Sequence, residues 1–226
     1  MIRANNSRAN ITKNFFSALV GLLIYGFGTY LTIQANLGVG PWDVLNLGIS
    51  KTIHITYGIA SISISAVMII AILLLGESIG LGMIAASFTA GLSVDFLNYL
   101  DLIQPMNNMI AGIGLMMAGI TIRGFSQYIY MKSALGCGPR DAFMVGLGKK
   151  VKRISIGIVA TIINVSVTLI GWILGGKVGI GTIIFAATAG PIMEFEFNLM
   201  HFDAKAVKHQ DIRDTFKVLI GKKISL

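Results

Sequence analysis

The chain has 226 residues, of which 54% are hydrophobic and 12% charged, with 27 glycines, a net charge of +8 and a mean hydropathy of +0.78. An average soluble domain is about a quarter charged, so the composition excludes an ordinary soluble domain and leaves room for about six membrane spans of ~20 apolar residues each. The single Cys137 excludes an internal disulfide, and His54, His201 and His209 are scattered, so neither a metal site nor a cofactor is expected.

Residues 1–14 carry Arg3, Arg8 and Lys13 and read as a cytoplasmic N-terminus. The apolar run Phe15–Gln34 follows a basic start as a signal peptide would, but it is too long for a signal core and no small-x-small cleavage site follows. It is predicted to be the first retained span of a membrane region covering 15–100. Next comes Pro41–Ile53, apolar but worth only ~20 Å as a helix, too short to cross a ~30 Å hydrocarbon core. It is expected to be a half-helix that enters and returns, or a short helix packed within the bundle. Tyr57–Leu75 and Ile79–Tyr99 are the second and third spans. A second region, 108–200, holds spans Met109–Met131, Ile156–Leu174 and Val178–Met200, with the short Pro139–Val151 after the first of them. Residues 201–226 form a basic tail in which Val207, Ile212, Phe216, Leu219 and Ile220 recur at near-helical spacing, as in an amphipathic helix on the anionic inner leaflet.

The two regions repeat one another. Gly38-Val39-Gly40-Pro41-Trp42-Asp43 returns 98 residues later as Gly136-Cys137-Gly138-Pro139-Arg140-Asp141. At that spacing Gly21, Gly26, Tyr30 and Leu37 meet Gly119, Gly124, Tyr128 and Leu135. At a spacing of 99, Gly58 and Thr89-Ala90-Gly91 meet Gly157 and Thr188-Ala189-Gly190. The pattern is that of a tandem duplication in an all-α, polytopic membrane protein, each copy having three spans and one short helix.

With six crossings and a cytoplasmic N-terminus, all but three of the eighteen basic residues fall in the N-terminus, the middle loop (Arg140 and the 149–153 cluster included) and the tail. The exceptions are Lys51, Arg123 and Lys177. This obeys the positive-inside rule and makes the second copy inverted relative to the first. Counting the short helices as full spans gives parallel copies with a charge balance almost as good; span length favours inversion.

In Gly-x-Gly-Pro-x-Asp the glycines permit a sharp turn, the proline suits the first helical position, and the aspartate falls in the first turn, where its carboxylate can accept from free N–H groups. Two readings stand. Asp43 and Asp141 cap short helices where nothing but protein can satisfy the backbone, or the two helix starts frame a polar site for a solute or ion near the midplane. The candidate binding residues are Gly40, Trp42, Asp43 and Asn46 in the first copy and Gly138, Arg140 and Asp141 in the second, joined by Arg123 and Gln127. Trp42 and Arg140 occupy equivalent places; such a pair could stack on a flat or anionic solute, although an interfacial anchor and one more cytoplasmic base is the favoured account. Arg123 lies within a span and must find a carboxylate, backbone carbonyls or water, with Asp43, Asp95, Asp141 and Glu194 as the candidate side-chain partners. A structural salt bridge is the favoured role. Asp95 and Glu194 are equivalent positions near the ends of the third spans.

The duplicated Leu-Gly-x-Gly-Pro-x-Asp motif, together with the Thr-Ala-Gly segments, resembles the bacterial YczE/YyaS/YitT-type integral membrane proteins, in their YczE-like branch, over about residues 15–200. The resemblance implies an inner-membrane protein with the lipid bilayer as its first partner, and it transfers no functional residue. The expected function is a small-solute or ion transporter or channel with its path between the copies. The alternative is a non-transporting accessory or regulator of another membrane assembly. Self-association or a membrane partner protein is compatible with either. No nucleophile–base pair or phosphate loop is present, since Gly-x-Gly-Pro lacks the Lys-Ser/Thr of such a loop, so no enzyme is expected. The positive charge is accounted for by loops and tail, so no nucleic-acid partner is expected.

Overall fold

The computed structural model describes residues 8–151 and 155–204, together with 207, 211, 212 and 215. Among these the regular structure is entirely helical: α1 (Arg8–Gln34), α2 (Pro41–Ile53), α3 (Tyr57–Leu75), α4 (Leu81–Leu100), α5 (Met109–Lys132), α6 (Pro139–Lys150), α7 (Ile156–Ile173) and α8 (Ile180–Leu199). Five are long and apolar enough to cross a membrane: α1 from Asn10, α3, α4, α5 and α8. The remaining expected span is α7. Its 18 residues rise ~27 Å, slightly under the hydrocarbon thickness. Leu74 at 80% and Ile173 at 81% exposure are among many large apolar side chains that face outward, which a bilayer accommodates and water does not.

Helix ends follow local chemistry. Thr56, Asn108 and Ser155 are N-caps whose side-chain oxygens accept from Ile59, from Ile110 and Ala111, and from Ile158 respectively. The short helices start differently. Gly38 (φ 102°) and Gly136 (φ 134°) turn the chain in a conformation that L side chains resist, and Pro41 and Pro139 then open α2 and α6 with no side-chain cap. α1 begins earlier than expected, at Arg8, because the polar stretch before Phe15 continues the helix. Gly82 and Gly181 lie in the first turns of α4 and α8.

α1 and α5 form the centre of the bundle and run antiparallel. Gly21 faces Ser126 and Tyr130, Gly28 faces Gly119 and Arg123, and Gly112 faces Ala35, so positions descend along one helix as they rise along the other. The crossing depends on glycine: a Cβ on Gly28 would sit 2.8 Å from the Gly119 carbonyl oxygen. α4 packs on α1, and α8 on α5. Each short helix crosses to the other half, α2 onto α7 and α6 onto α3. Two backbone hydrogen bonds anchor these crossings: Gly82 N–H donates to the Leu135 carbonyl (2.8 Å), and Gly181 N–H to the Leu37 carbonyl (2.7 Å).

One pairing has no counterpart of similar extent. α3 packs closely on α4, whereas α7 and α8 make little contact. At the first pair Gly91 meets Gly58 backbone, and Asp95 Oδ1 accepts from the Gly58 N–H at 2.8 Å. At the second pair Gly157 and Gly190 have no atom within 4 Å of where a Cβ would stand, and Glu194 is exposed.

Of the tail, Val207 is buried with Phe197 and Phe202, and the Ile212 N–H donates to the Ile79 carbonyl at 2.8 Å. The rest of the expected amphipathic stripe (Phe216, Leu219, Ile220), like residues 1–7, Lys152 and Arg153, lies outside the described residues.

Candidate functional site

A cavity of about 220 Å³ lies where the starts of α2 and α6 meet α1, α3, α4 and α5. Eight of the nine candidate residues line it: Gly40, Trp42, Asp43, Arg123, Gln127, Gly138, Arg140 and Asp141. Asn46 does not. It lies one turn into α2 with 0% exposure, and neither atom of its side-chain amide has a partner. Three residues along from Asp43, it faces the packed interior instead of the opening.

Asp43 is the hub. Its carboxylate, 1% exposed, accepts from Arg123 Nη1 (2.6 Å, to Oδ2) and from the Tyr57 hydroxyl (2.7 Å, to Oδ1). Arg140 Nη1 stands 3.7 Å from Oδ1. Asp43 therefore ties α2 to α5, α3 and α6. Of the two readings, capping is not the role it takes: α2 has no side-chain cap, and the Asp43 oxygens are used by side chains from three other helices. Arg123, 9% exposed, is held on every side. Nη2 donates to the Tyr25 hydroxyl at 2.7 Å, and the guanidinium lies between the rings of Tyr25 and Phe185, 4.8 Å from each centroid. Of the four carboxylates weighed as its partner, Asp43 is the one that meets it. Two ion-paired, hydrogen-bonded and ring-covered charges of this kind survive burial because each satisfies the other.

Arg140 and Asp141 contrast with that pair. Arg140 was counted among the cytoplasmic loop bases. Its position at the start of α6 turns it inward instead, where Asp43 attracts it. The guanidinium lies over the Trp42 ring (5.4 Å) and makes one hydrogen bond, Nη2 to Ser61 Oγ at 3.3 Å. Trp42 is accordingly buried in the cavity wall and is not an interfacial anchor. Asp141 lines the same cavity, and among the described residues its carboxylate has no ion-pair or hydrogen-bond partner. Tyr130 also lines the cavity, and its hydroxyl is buried without a hydrogen-bond partner among the described residues.

Sequence reasoning passed over Tyr25, Tyr57, Ser61, Tyr130 and Phe185, all of which line the cavity. A signal existed for Tyr25: it stands 98 positions before Arg123, the partner it touches. Tyr57, Ser61 and Phe185 carry no motif, because their place depends on which face of α3 or α8 turns inward.

Among the described residues no group of three or more His, Cys, Asp or Glu side chains could hold a metal ion. The charges and the small cavity can bind and orient a polar solute.

Long apolar helices around a charged cavity define a polytopic helical membrane protein. The chain belongs to the DUF6198 family, a family of unknown function, whose model matches residues 12–197. It is 31% identical over 188 residues to an uncharacterized protein of Haemophilus influenzae, covering 83% of this chain and 85% of that one. The uncharacterized membrane protein YczE of Bacillus subtilis is 28% identical over 177 residues (77% and 81% of the two chains). YyaS of the same organism is 29% identical over 179 residues (77% and 87%). No solved structure matches.

Proposed function

We propose that the protein is a small-solute transporter of the bacterial inner membrane, built from two inverted copies, with both termini cytoplasmic and the solute path through the cavity between the copies. Several reciprocal contacts support the duplication. Gly82 bonds to Leu135 as Gly181 bonds to Leu37, and Gly21 faces Ser126 as Gly28 faces Gly119. Tyr25 touches its own equivalent Arg123, and Trp42 its own equivalent Arg140, as residues near a twofold axis do. Because α1 and α5 are antiparallel, such an axis lies across the helices, hence in the membrane plane. Antiparallel α1 and α5 also require an odd number of crossings from one copy's start to the next. Three spans with a returning α2 satisfy that count, and four do not.

The observation that carries transport over a static structural role is the inequality of the two outer helix pairs around one charged cavity. α3 and α4 are closed by the Gly58–Gly91 contact and the Asp95 bond, while α7 and α8 stand apart at the equivalent Gly157 and Gly190. Exchanging the two arrangements gives the cavity a second state, as alternating access requires.

The test is a cross-link. In a Cys137→Ser background, Gly157→Cys with Gly190→Cys, reconstituted in liposomes, is expected to carry solute when reduced and to stop when oxidised. A pair that cross-links fully without loss of flux overturns the mechanism. For topology, a cysteine at Asp101 is expected to react with an impermeant reagent from outside; labelling from the cytoplasm sinks the inverted arrangement.

A further inference from the structure

We propose that the cavity takes a small zwitterion of α-amino-acid size, its carboxylate on Arg140 and its ammonium on Asp141. This rests on reading the cavity as the solute site, and it names the class of solute.

The cavity holds two guanidiniums and two carboxylates, and they are unequally occupied. Arg123 and Asp43 neutralise each other at 2.6 Å, and their remaining capacity goes to Tyr25 and Tyr57. What is left is a consecutive pair at the start of α6. Arg140 has five N–H donors and makes one hydrogen bond, at 3.3 Å, with Asp43 no nearer than 3.7 Å. The guanidinium lies over the Trp42 ring, 5.4 Å from its centroid, and a guanidinium with free donors suits a bidentate carboxylate. Among the described residues Asp141 has no hydrogen-bond or ion-pair partner, and it does not pair with Arg140.

A simple anion would engage Arg140 and be repelled by Asp141. A simple cation would engage Asp141 and leave Arg140 as it is. A solute carrying both charges answers both groups, and a carboxylate without a direct hydrogen-bond or ion-pair partner at membrane depth is costly enough to make that answer matter. The start of α2, whose N-cap Gly40 offers no side chain, adds a positive helix end suited to the carboxylate. The Tyr130 hydroxyl, buried and unpartnered, faces the same space and supplies a neutral hydrogen bond. Size limits the class further. The cavity of about 220 Å³ has room for several waters, which is enough for a molecule of amino-acid size.

The experiment is calorimetric titration of the purified protein with the standard α-amino acids, then with the N-acetyl and methyl-ester derivatives of the tightest binder. At least one amino acid is expected to bind, and each derivative, lacking one charge, to bind at least about tenfold more weakly, the scale of one lost charge-assisted hydrogen bond. Asp141→Asn is expected to bind the amino acid and its N-acetyl derivative within about threefold of each other, because the group that tells them apart is gone. Arg140→Gln should do the same for the amino acid and its ester, with Arg140→Lys retaining part of the discrimination. Melting temperatures near wild type establish that the variants fold. Failure of every amino acid to bind, or equal binding of parent and derivatives to the wild type, overturns the proposal. Liposome uptake separates the two inferences. Binding with this charge pattern but no uptake removes transport and leaves the solute class; uptake of solutes with no amino acid among them does the reverse.

Discussion

The two helix starts share a motif and differ in what surrounds it. At the first, Asp43 is met by an arginine, a tyrosine and a more distant second arginine, and it is almost wholly buried. At the second, Asp141 opens into the cavity with no partner among the described residues. The same carboxylate at the same place in a helix thus does two jobs. One holds four helices together, and the other is left available. The outer helices repeat the lesson: α3 and α4 are closed where α7 and α8 are apart. In both comparisons the first half supplies the fixed member and the second half the free one.

The largest effect that would break the first comparison is at Asp43. Asp43→Asn leaves Arg123 buried without its counter-charge and is expected to cost about 3–5 kcal/mol of stability, read from thermal or denaturant unfolding in detergent. A loss under ~1 kcal/mol would mean that Asp43 is not the hub. Tyr57→Phe removes one hydrogen bond to a buried charged group and should cost about 1.5–3 kcal/mol. For the outer helices, Gly58→Ala drives a methyl into Asp95 and Gly91 and should cost about 1–3 kcal/mol. Gly157→Ala meets nothing and should be neutral or up to ~1 kcal/mol stabilising, through helix propensity. Equal effects at the two glycines would erase the difference between the pairs. The smallest change is expected at Asp141→Asn: within ~0.5 kcal/mol of wild type, or slightly stabilising, since a costly unpaired carboxylate is removed. A loss on the scale of Asp43→Asn would make the two aspartates equivalent after all.

Much of the fold was legible. Apolar runs and the Gly-Pro starts located α2, α3 and α5 to within a residue, because helix length and termination are local matters of hydropathy, φ and missing N–H groups. α1 was read too short, since its first two turns are polar and a hydropathy window does not count them. The site was legible in its ingredients. Ionisable residues within apolar segments are costly and therefore conspicuous, and eight of the nine chosen residues line one cavity. Their pairing was not legible. Four carboxylates could have met Arg123; the one that does lies 80 positions away on a short helix from the other half. Asn46 was a weaker candidate than Asp43, having no polar counterpart in the second copy, but only the rotation of α2 against α3 and α7 separates the wall of the cavity from the packed interior.

The sequence by itself determined an all-helical membrane protein with two short interrupted helices, because spans and helix starts depend on the composition of contiguous segments. Tertiary structure decided that Arg140 faces inward over Trp42, that Asp43 rather than Asp141 is locked to Arg123, and that one outer helix pair is closed while the other is open. Those outcomes depend on which faces meet across the antiparallel α1–α5 crossing, and a single charge pair in a low-dielectric interior is strong enough to choose among them.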